Sequence, residues 1–151
     1  MTPSAEETRL FPQGRYVTAK RYGDFVFTSG MTPRIDGVLI SEGRVRADMP
    51  VESYRSAVEL ACSNALAAAS GVAGVNERIG QILSLSVFIA AETDFRAHAR
   101  LADFASDVLH EELGPMGIGA RASIGVASLP GNAPVEIQLV ATICSEKMEA
   151  S

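Results

Sequence analysis

The chain has 151 residues, 47% hydrophobic and 21% charged, with 13 Lys and Arg against 18 Asp and Glu and a net charge of −5. This suits one domain, residues 1–151, with a core that needs no disulfide or metal staple, and it excludes a largely disordered chain. The acidic balance argues against a nucleic-acid partner, since a phosphate backbone rewards a basic surface, and no stretch approaches the ~20 apolar residues of a membrane span.

Residues 1–13 are polar, with Pro3 and Pro12, and read as a loosely ordered arm. Met1 to Gly14 has no basic start followed by an apolar run, so no signal peptide is expected and the expected address is the cytoplasm. Gly14 to Ala19, containing Tyr16 and Val17, is predicted as a short strand, and Arg21 to Asp24 as a turn with Gly23-Asp24 chemistry. Phe25 to Thr28 is rich in aromatic and β-branched residues and reads as a strand ending at Ser29-Gly30. Gly30 relieves a tight backbone there, at a bulge or where a ligand comes close. Thr32 to Pro50 reads as loops around one short edge strand at Val38-Leu39-Ile40.

The period then changes. Tyr54, Ala57, Val58, Ala61, Ala65, Leu66 and Ala68 recur at three and four residues, which predicts a helix over 51–70 ending at Gly71 or Gly74. Leu83, Leu85, Val87 and Ile89 alternate with their neighbours, which predicts a strand from Glu77 or Arg78 to Ala90. Thr93 or Asp94 offers the N-cap of a second helix whose apolar face is Phe95, Ala99, Ala102, Ala105, Val108 and Leu109, ending near Gly114-Pro115. Two strands follow, 121–128 and 135–143, joined by a Pro-Gly-Asn turn, and residues 145–151 read as a frayed tail. The expected fold class is α/β (α+β), one mixed sheet with both helices packed on one face.

The last two strands are apolar except for a lone arginine, Arg121, and a lone glutamate, Glu136. Paired as a hairpin, they would put Ile124 and Val126 with Ile137 and Leu139 on a core face. Arg121, Ser123, Gly125 and Ala127 would share the other face with Glu136, Gln138, Val140 and Thr142. That small, polar face suits close approach of another subunit. Arg121 and Glu136 would lie roughly 20 Å apart, so a shared site would need a neighbouring subunit or a different strand offset.

Other residues point elsewhere. His98 and His110 have no Cys or acidic partner at metal spacing and read as a solvated helix face. Cys62 and Cys144 likewise lack metal spacing and read as a reduced pair. Gly114, Gly117 and Gly119 are followed by no Gly-Lys-Ser/Thr, so they do not form a phosphate loop, and there is no Gly-x-Ser-x-Gly elbow.

Arg121, then Val126-Ala127-Ser128-Leu129-Pro130, then Val135-Glu136-Ile137, is similar to the C-terminal signature of the RidA/YjgF family, the reactive-intermediate (enamine/imine) deaminases. Phe27-Thr28-Ser29-Gly30 resembles the family's Thr-Ser-Gly strand end, and Tyr16 falls where the family has an N-terminal tyrosine. The likeness runs from about Tyr16 to Ile143. It implies a chorismate-mutase-like fold, a homotrimer with ligand clefts between subunits, and hydrolysis of small 2-imino or enamino carboxylates to 2-oxo acids and ammonia. It implies Glu136 and Arg121 as catalytic residues, the arginine holding the carboxylate and the glutamate positioning a water. Ser29, Gly30, Tyr16 and Ser123 would bind substrate, with no metal or cofactor. The chain departs from the family pattern at Ser123, where cysteine is common, at Ala99, where asparagine is expected, and at Met31, where glutamine is usual. Non-catalytic binding of small carboxylates is the alternative. The ribonuclease or translation-inhibitor role often attached to family names fits the acidic charge poorly.

Overall fold

The computed structural model describes residues 10–146; most of the expected N-terminal arm and the end of the expected tail lie outside them. The sheet strands are β1 (Ala19–Tyr22), β2 (Phe25–Thr28), β5 (Glu77–Ala90), β6 (Ala120–Val126) and β7 (Val135–Ser145). They form one five-stranded sheet in the order β1-β2-β7-β5-β6, and only the β5–β6 pair is parallel. A separate two-stranded ribbon joins β3 (Arg34–Ile35) to β4 (Val38–Leu39). Two helices, α1 (Arg55–Ser70) and α2 (His98–Leu113), pack on one face of the sheet, as a mixed sheet with two segregated helices requires.

The core is the alternating face of the two longest strands. Ile79, Ile82, Leu85, Val87 and Ile89 of β5 and Val135, Ile137, Leu139, Ala141 and Ile143 of β7 are all buried. Against them α1 sets Ala57, Val58, Ala61, Ala65 and Ala68, and α2 sets Leu101, Ala102, Ala105 and Leu109. The small alanines let the helices approach closely. The Cys62 thiol lies 3.5 Å from the Ala105 carbonyl, and the Arg55 guanidinium sits 4.3 Å from the Phe104 ring centroid.

Several local expectations are corrected. The N-terminal strand starts at Ala19, beyond Tyr16, and runs through Tyr22, so the turn is only Gly23-Asp24, with Gly23 at φ 58°. The segment at 34–39 forms two short strands about the left-handed Asp36-Gly37 turn where one edge strand was expected. The first helix is preceded by a 3-10 turn over Val51–Tyr54. The second starts at His98 with Ala97 at its cap, because residues 92–95 close a tight turn, Phe95 N–H to Glu92 C=O, before the helix begins. Ser145 belongs to β7 and not to the tail.

The largest correction concerns the final two strands. They are not a hairpin: β5 lies between them, pairing in parallel with β6 and antiparallel with β7. Residues 127–134 therefore pass the end of a strand, with Gly131 and Asn132 both left-handed. The faces change accordingly. Leu85 pairs with both Arg121 and Leu139, and Val87 with both Ser123 and Ile137. Arg121, Ser123 and Gly125 thus lie on the helix side of the sheet, and Ile124 shares the opposite side with Glu136 through Phe88.

Candidate functional site

Glu136 faces away from the helices, near the start of β7, and its environment is built by the segment after β2. Beyond Thr28 the chain stays against β7: Met31 and Ile137 exchange both backbone hydrogen bonds, at 2.7 and 2.9 Å. This draws Gly30 over the Glu136 side chain. A Cβ at Gly30 would lie 2.6 Å from Glu136 Cδ, so any side chain there would displace the carboxyl group from this position. The expected close approach at Gly30 is therefore made by the chain's own glutamate.

Glu136 lines a small concave pocket, about 70 Å³, together with Leu10, Phe11, Tyr16, Gly30, Arg34 and Asn64 among others. Its side chain is half-buried, and no described residue donates it a hydrogen bond; burial pushes its pKa above the ordinary carboxylate value. Tyr16 is part of the wall, held by a 2.9 Å hydrogen bond from the Gln13 backbone N–H to its hydroxyl. Ser29 is adjacent in sequence but directs its hydroxyl to the Val17 carbonyl at 2.7 Å. It ties the N-terminal segment to the strand end and is not in the pocket wall.

Arg121 and Ser123 lie elsewhere. Arg121 reaches onto α2, donating to Asp103 Oδ1 at 2.7 Å, Ser106 Oγ at 3.0 Å and the Ala99 carbonyl at 3.3 Å. It lines a second concavity of about 250 Å³ with Leu85, Asp103, Ser106, Gly117, Ile118 and Gly119. Arg121 and Glu136 are two strands apart and offset by three positions along β5, about 10 Å in each direction, and they lie on opposite faces. The structure brings Tyr16, Gly30 and Glu136 together and keeps Arg121 and Ser123 apart from them within one chain.

Two wall residues escaped the sequence reading. Asn64 sits among the apolar positions of α1, only 5% exposed, and its amide donates to the carbonyls of Thr32 and Arg34 at 3.1 and 2.9 Å. A polar residue on an apolar helical stripe was the available signal. Arg34 had none, since it lies in a segment read as loop. Its Nε donates to Thr32 Oγ1 at 3.0 Å and its Nη1 to the Gly37 carbonyl at 2.7 Å. Among the described residues, no group of three or more His, Cys, Asp or Glu could hold a metal ion. Both cysteines are free, and burial pushes the Cys62 thiol up to about 12, which makes it inert at neutral pH. No helix among the described residues is long and apolar enough to cross a membrane.

Comparison with known proteins agrees with this architecture. The chain is similar to a protein of unknown function from Agrobacterium tumefaciens, 33% identical, covering 86% of this chain and 82% of that one with a TM-score of 0.77. It is similar to a "putative endoribonuclease" from Shewanella oneidensis, 29% identical, covering 88% of each chain with a TM-score of 0.80. A third likeness is to TdcF of E. coli, solved with bound serine, 25% identical over 85% of this chain and 88% of that one, TM-score 0.61. The family model described as "YjgF/chorismate mutase-like, putative endoribonuclease" matches residues 11–143. With that match spanning the whole sheet up to Ile143 and both helices, the chain belongs to the YjgF/chorismate mutase-like family.

Proposed function

We propose that this protein hydrolyses small 2-imino or enamino carboxylates to 2-oxo acids and ammonia, in clefts between the subunits of a homotrimer. The observation that carries the reading is Glu136: a half-buried carboxyl with no described hydrogen-bond donor, its pKa raised by burial, in a pocket walled by Tyr16 and Gly30. An iminium carbon is already electrophilic, so the reaction needs a placed water and a group that moves protons. Water adds to that carbon while its proton passes to Glu136. The carbinolamine nitrogen takes the proton back, and the C–N bond breaks as Glu136 takes the hydroxyl proton and passes it to the departing ammonia, giving the 2-oxo acid and ammonium. A carboxyl with a raised pKa suits both transfers. No metal or cofactor is required by this chemistry.

Arg121 is the expected holder of the substrate carboxylate, because its planar guanidinium can form paired charge-assisted bonds. Since it lies on the far face of its own sheet, a neighbouring subunit would supply it. The open sheet face supports an assembly, with Phe25, Phe27 and Ile124 exposed by 48%, 47% and 43%. Two free cysteines fit a reducing compartment, the cytoplasm.

The test is to add purified protein to freshly generated 2-iminopropanoate and follow loss of the imine. Acceleration over buffer that disappears in Glu136→Gln and Arg121→Ala supports the reading, and wild-type protein no faster than buffer refutes it. A second reading is binding of small carboxylates in the same clefts without turnover; saturable 2-oxo acid binding that needs Arg121, with no imine loss, would favour it. The serine bound in TdcF agrees with a small carboxylate-bearing ligand under either reading. The endoribonuclease named for the family and the Shewanella protein is less compatible with a net charge of −5; RNA binding that persists at physiological salt would revive it.

A further inference from the structure

Arg34 carries a charge that nothing described in its own chain balances. Among the described residues no carboxylate lies within ion-pair distance of it, nor of Arg15, Arg44, Arg78 or Arg96, and of these Arg34 is the one that lines the Glu136 pocket. Its two described bonds, to Thr32 Oγ1 and the Gly37 carbonyl, use two of the five N–H groups of a guanidinium. The remaining donors include both on Nη2, which lies under the Pro130–Asn132 turn, 2.5 Å from where a Cβ at Gly131 would stand. The platform is rigid: the buried Asn64 amide clamps the carbonyls of Thr32 and Arg34 to α1. Among the described residues of the pocket wall Glu136 is the one acidic residue and Arg34 the one basic residue, and the two do not pair. The Nη2 donors of Arg34 thus have no described carboxylate partner beside this pocket. Leu10, Phe11, Tyr16 and Met31 supply the apolar remainder.

We infer that Arg34 is a specificity-determining residue that holds a second carboxylate of the ligand, so that the pocket favours small dicarboxylic 2-imino and 2-oxo acids over monocarboxylic ones. This rests on reading the Glu136 pocket as the ligand site, with Arg121 of a neighbouring subunit taking the carboxylate next to the reacting carbon. A guanidinium held at Nε and Nη1 and free at Nη2 is preorganised for such a group, and a charge-assisted bond of this kind is worth roughly tenfold or more in affinity.

The experiment is calorimetric titration of the intact protein with 2-oxoglutarate and 2-oxobutanoate, for the wild type and for Arg34→Gln, Arg34→Lys and Arg121→Gln, with thermal melts of each. The wild type is expected to bind 2-oxoglutarate about tenfold or more tighter than 2-oxobutanoate. Arg34→Gln should erase that preference while leaving 2-oxobutanoate affinity within about twofold. Arg34→Lys should keep part of it, and Arg121→Gln should weaken both ligands together. Equal wild-type affinity for the two acids overturns the proposal. So does an Arg34→Gln variant that retains the preference, or one that loses both ligands equally with a lowered melting temperature, since the arginine would then only brace the ribbon. In each of these cases 2-oxobutanoate binding by the wild type and imine turnover decide the catalytic reading separately. Wild type that binds neither acid overturns both the dicarboxylate preference and the pocket assignment.

Discussion

Glu136 is a half-buried carboxyl with no described hydrogen-bond donor, an arrangement that costs stability while it is ionised. Its folded-state pKa is raised, so its contribution to stability is greatest when protonated and is lost as pH rises through the ordinary carboxylate range and above it. Glu136→Gln should therefore melt at a higher temperature than wild type at pH 7, with the gain vanishing below about pH 4. The same substitution should lower imine turnover by about 10²-fold or more, the usual scale for loss of a general base. Thermal melts across pH and imine-loss kinetics check the two halves. Gly30→Ala tests the fit from the other side. Its methyl group would meet the Glu136 carboxyl at 2.6 Å and push it out of place. Because that carboxyl is the far end of a flexible side chain and can swing aside, stability should change by less than about 1 kcal/mol. Turnover should fall at least about tenfold in protein that still folds, on the usual cost of displacing a general base. Turnover unchanged in Gly30→Ala would mean that the position of the carboxyl is unimportant.

At the scale of elements, the long strand β5 organises the sheet, and its start is held by charge. Arg21 on β1 forms a two-pronged bond to Glu77, at 2.6 and 3.0 Å, and the Gly74 backbone N–H donates to the same carboxylate at 2.6 Å. These bonds hold the Glu77 carboxyl down at about 2. A depressed folded-state pKa contributes stability that is present above the unfolded value and lost as pH falls toward the folded one. The melting difference between wild type and Glu77→Gln should be full at pH 7 and close between the ordinary glutamate range and about pH 2. A difference that stays constant across that range would show that the ion pair is not its source. Because both side chains are more than a quarter exposed, high salt should reduce the difference.

For the whole molecule, the open sheet face is the feature most in need of a partner. Phe25, Phe27 and Ile124 stand on the side away from the helices, with Gln138 and Glu136 between their strands. Placing a charge there, as in Phe27→Glu, should convert an oligomer to monomers in sedimentation experiments and abolish imine turnover together with it. The monomer should keep its far-ultraviolet circular dichroism, since the helix-side core is untouched. A Phe27→Glu protein that stays oligomeric, or a monomer that remains fully active, would refute the assignment of this face and of a site between subunits.

The periodic elements were legible in the sequence because periodicity is a local signal. The alanine stripe of α1, the alternation of β5 and the apolar face of α2 each lie within one window, and so did Gly30 as a place of close approach. The signature from Arg121 to Glu136 marked the family for the same reason. Strand order was not legible. A Pro-Gly-Asn turn is compatible with a hairpin or with a connection that passes a third strand, and only the pairing of β5 with both β6 and β7 separates them. That pairing depends on contacts made across the whole chain. It put Arg121 and Ser123 on the helix side, and it opposed Asp103 and Ser106 to the arginine. It also left Glu136 on the other face. The sequence alone marked out a lone arginine and a lone glutamate and predicted that they would not meet in one chain as a simple hairpin. Tertiary structure decided why they stay apart, which is the strand inserted between them, and it brought Arg34 from an unremarkable loop into the wall beside Glu136.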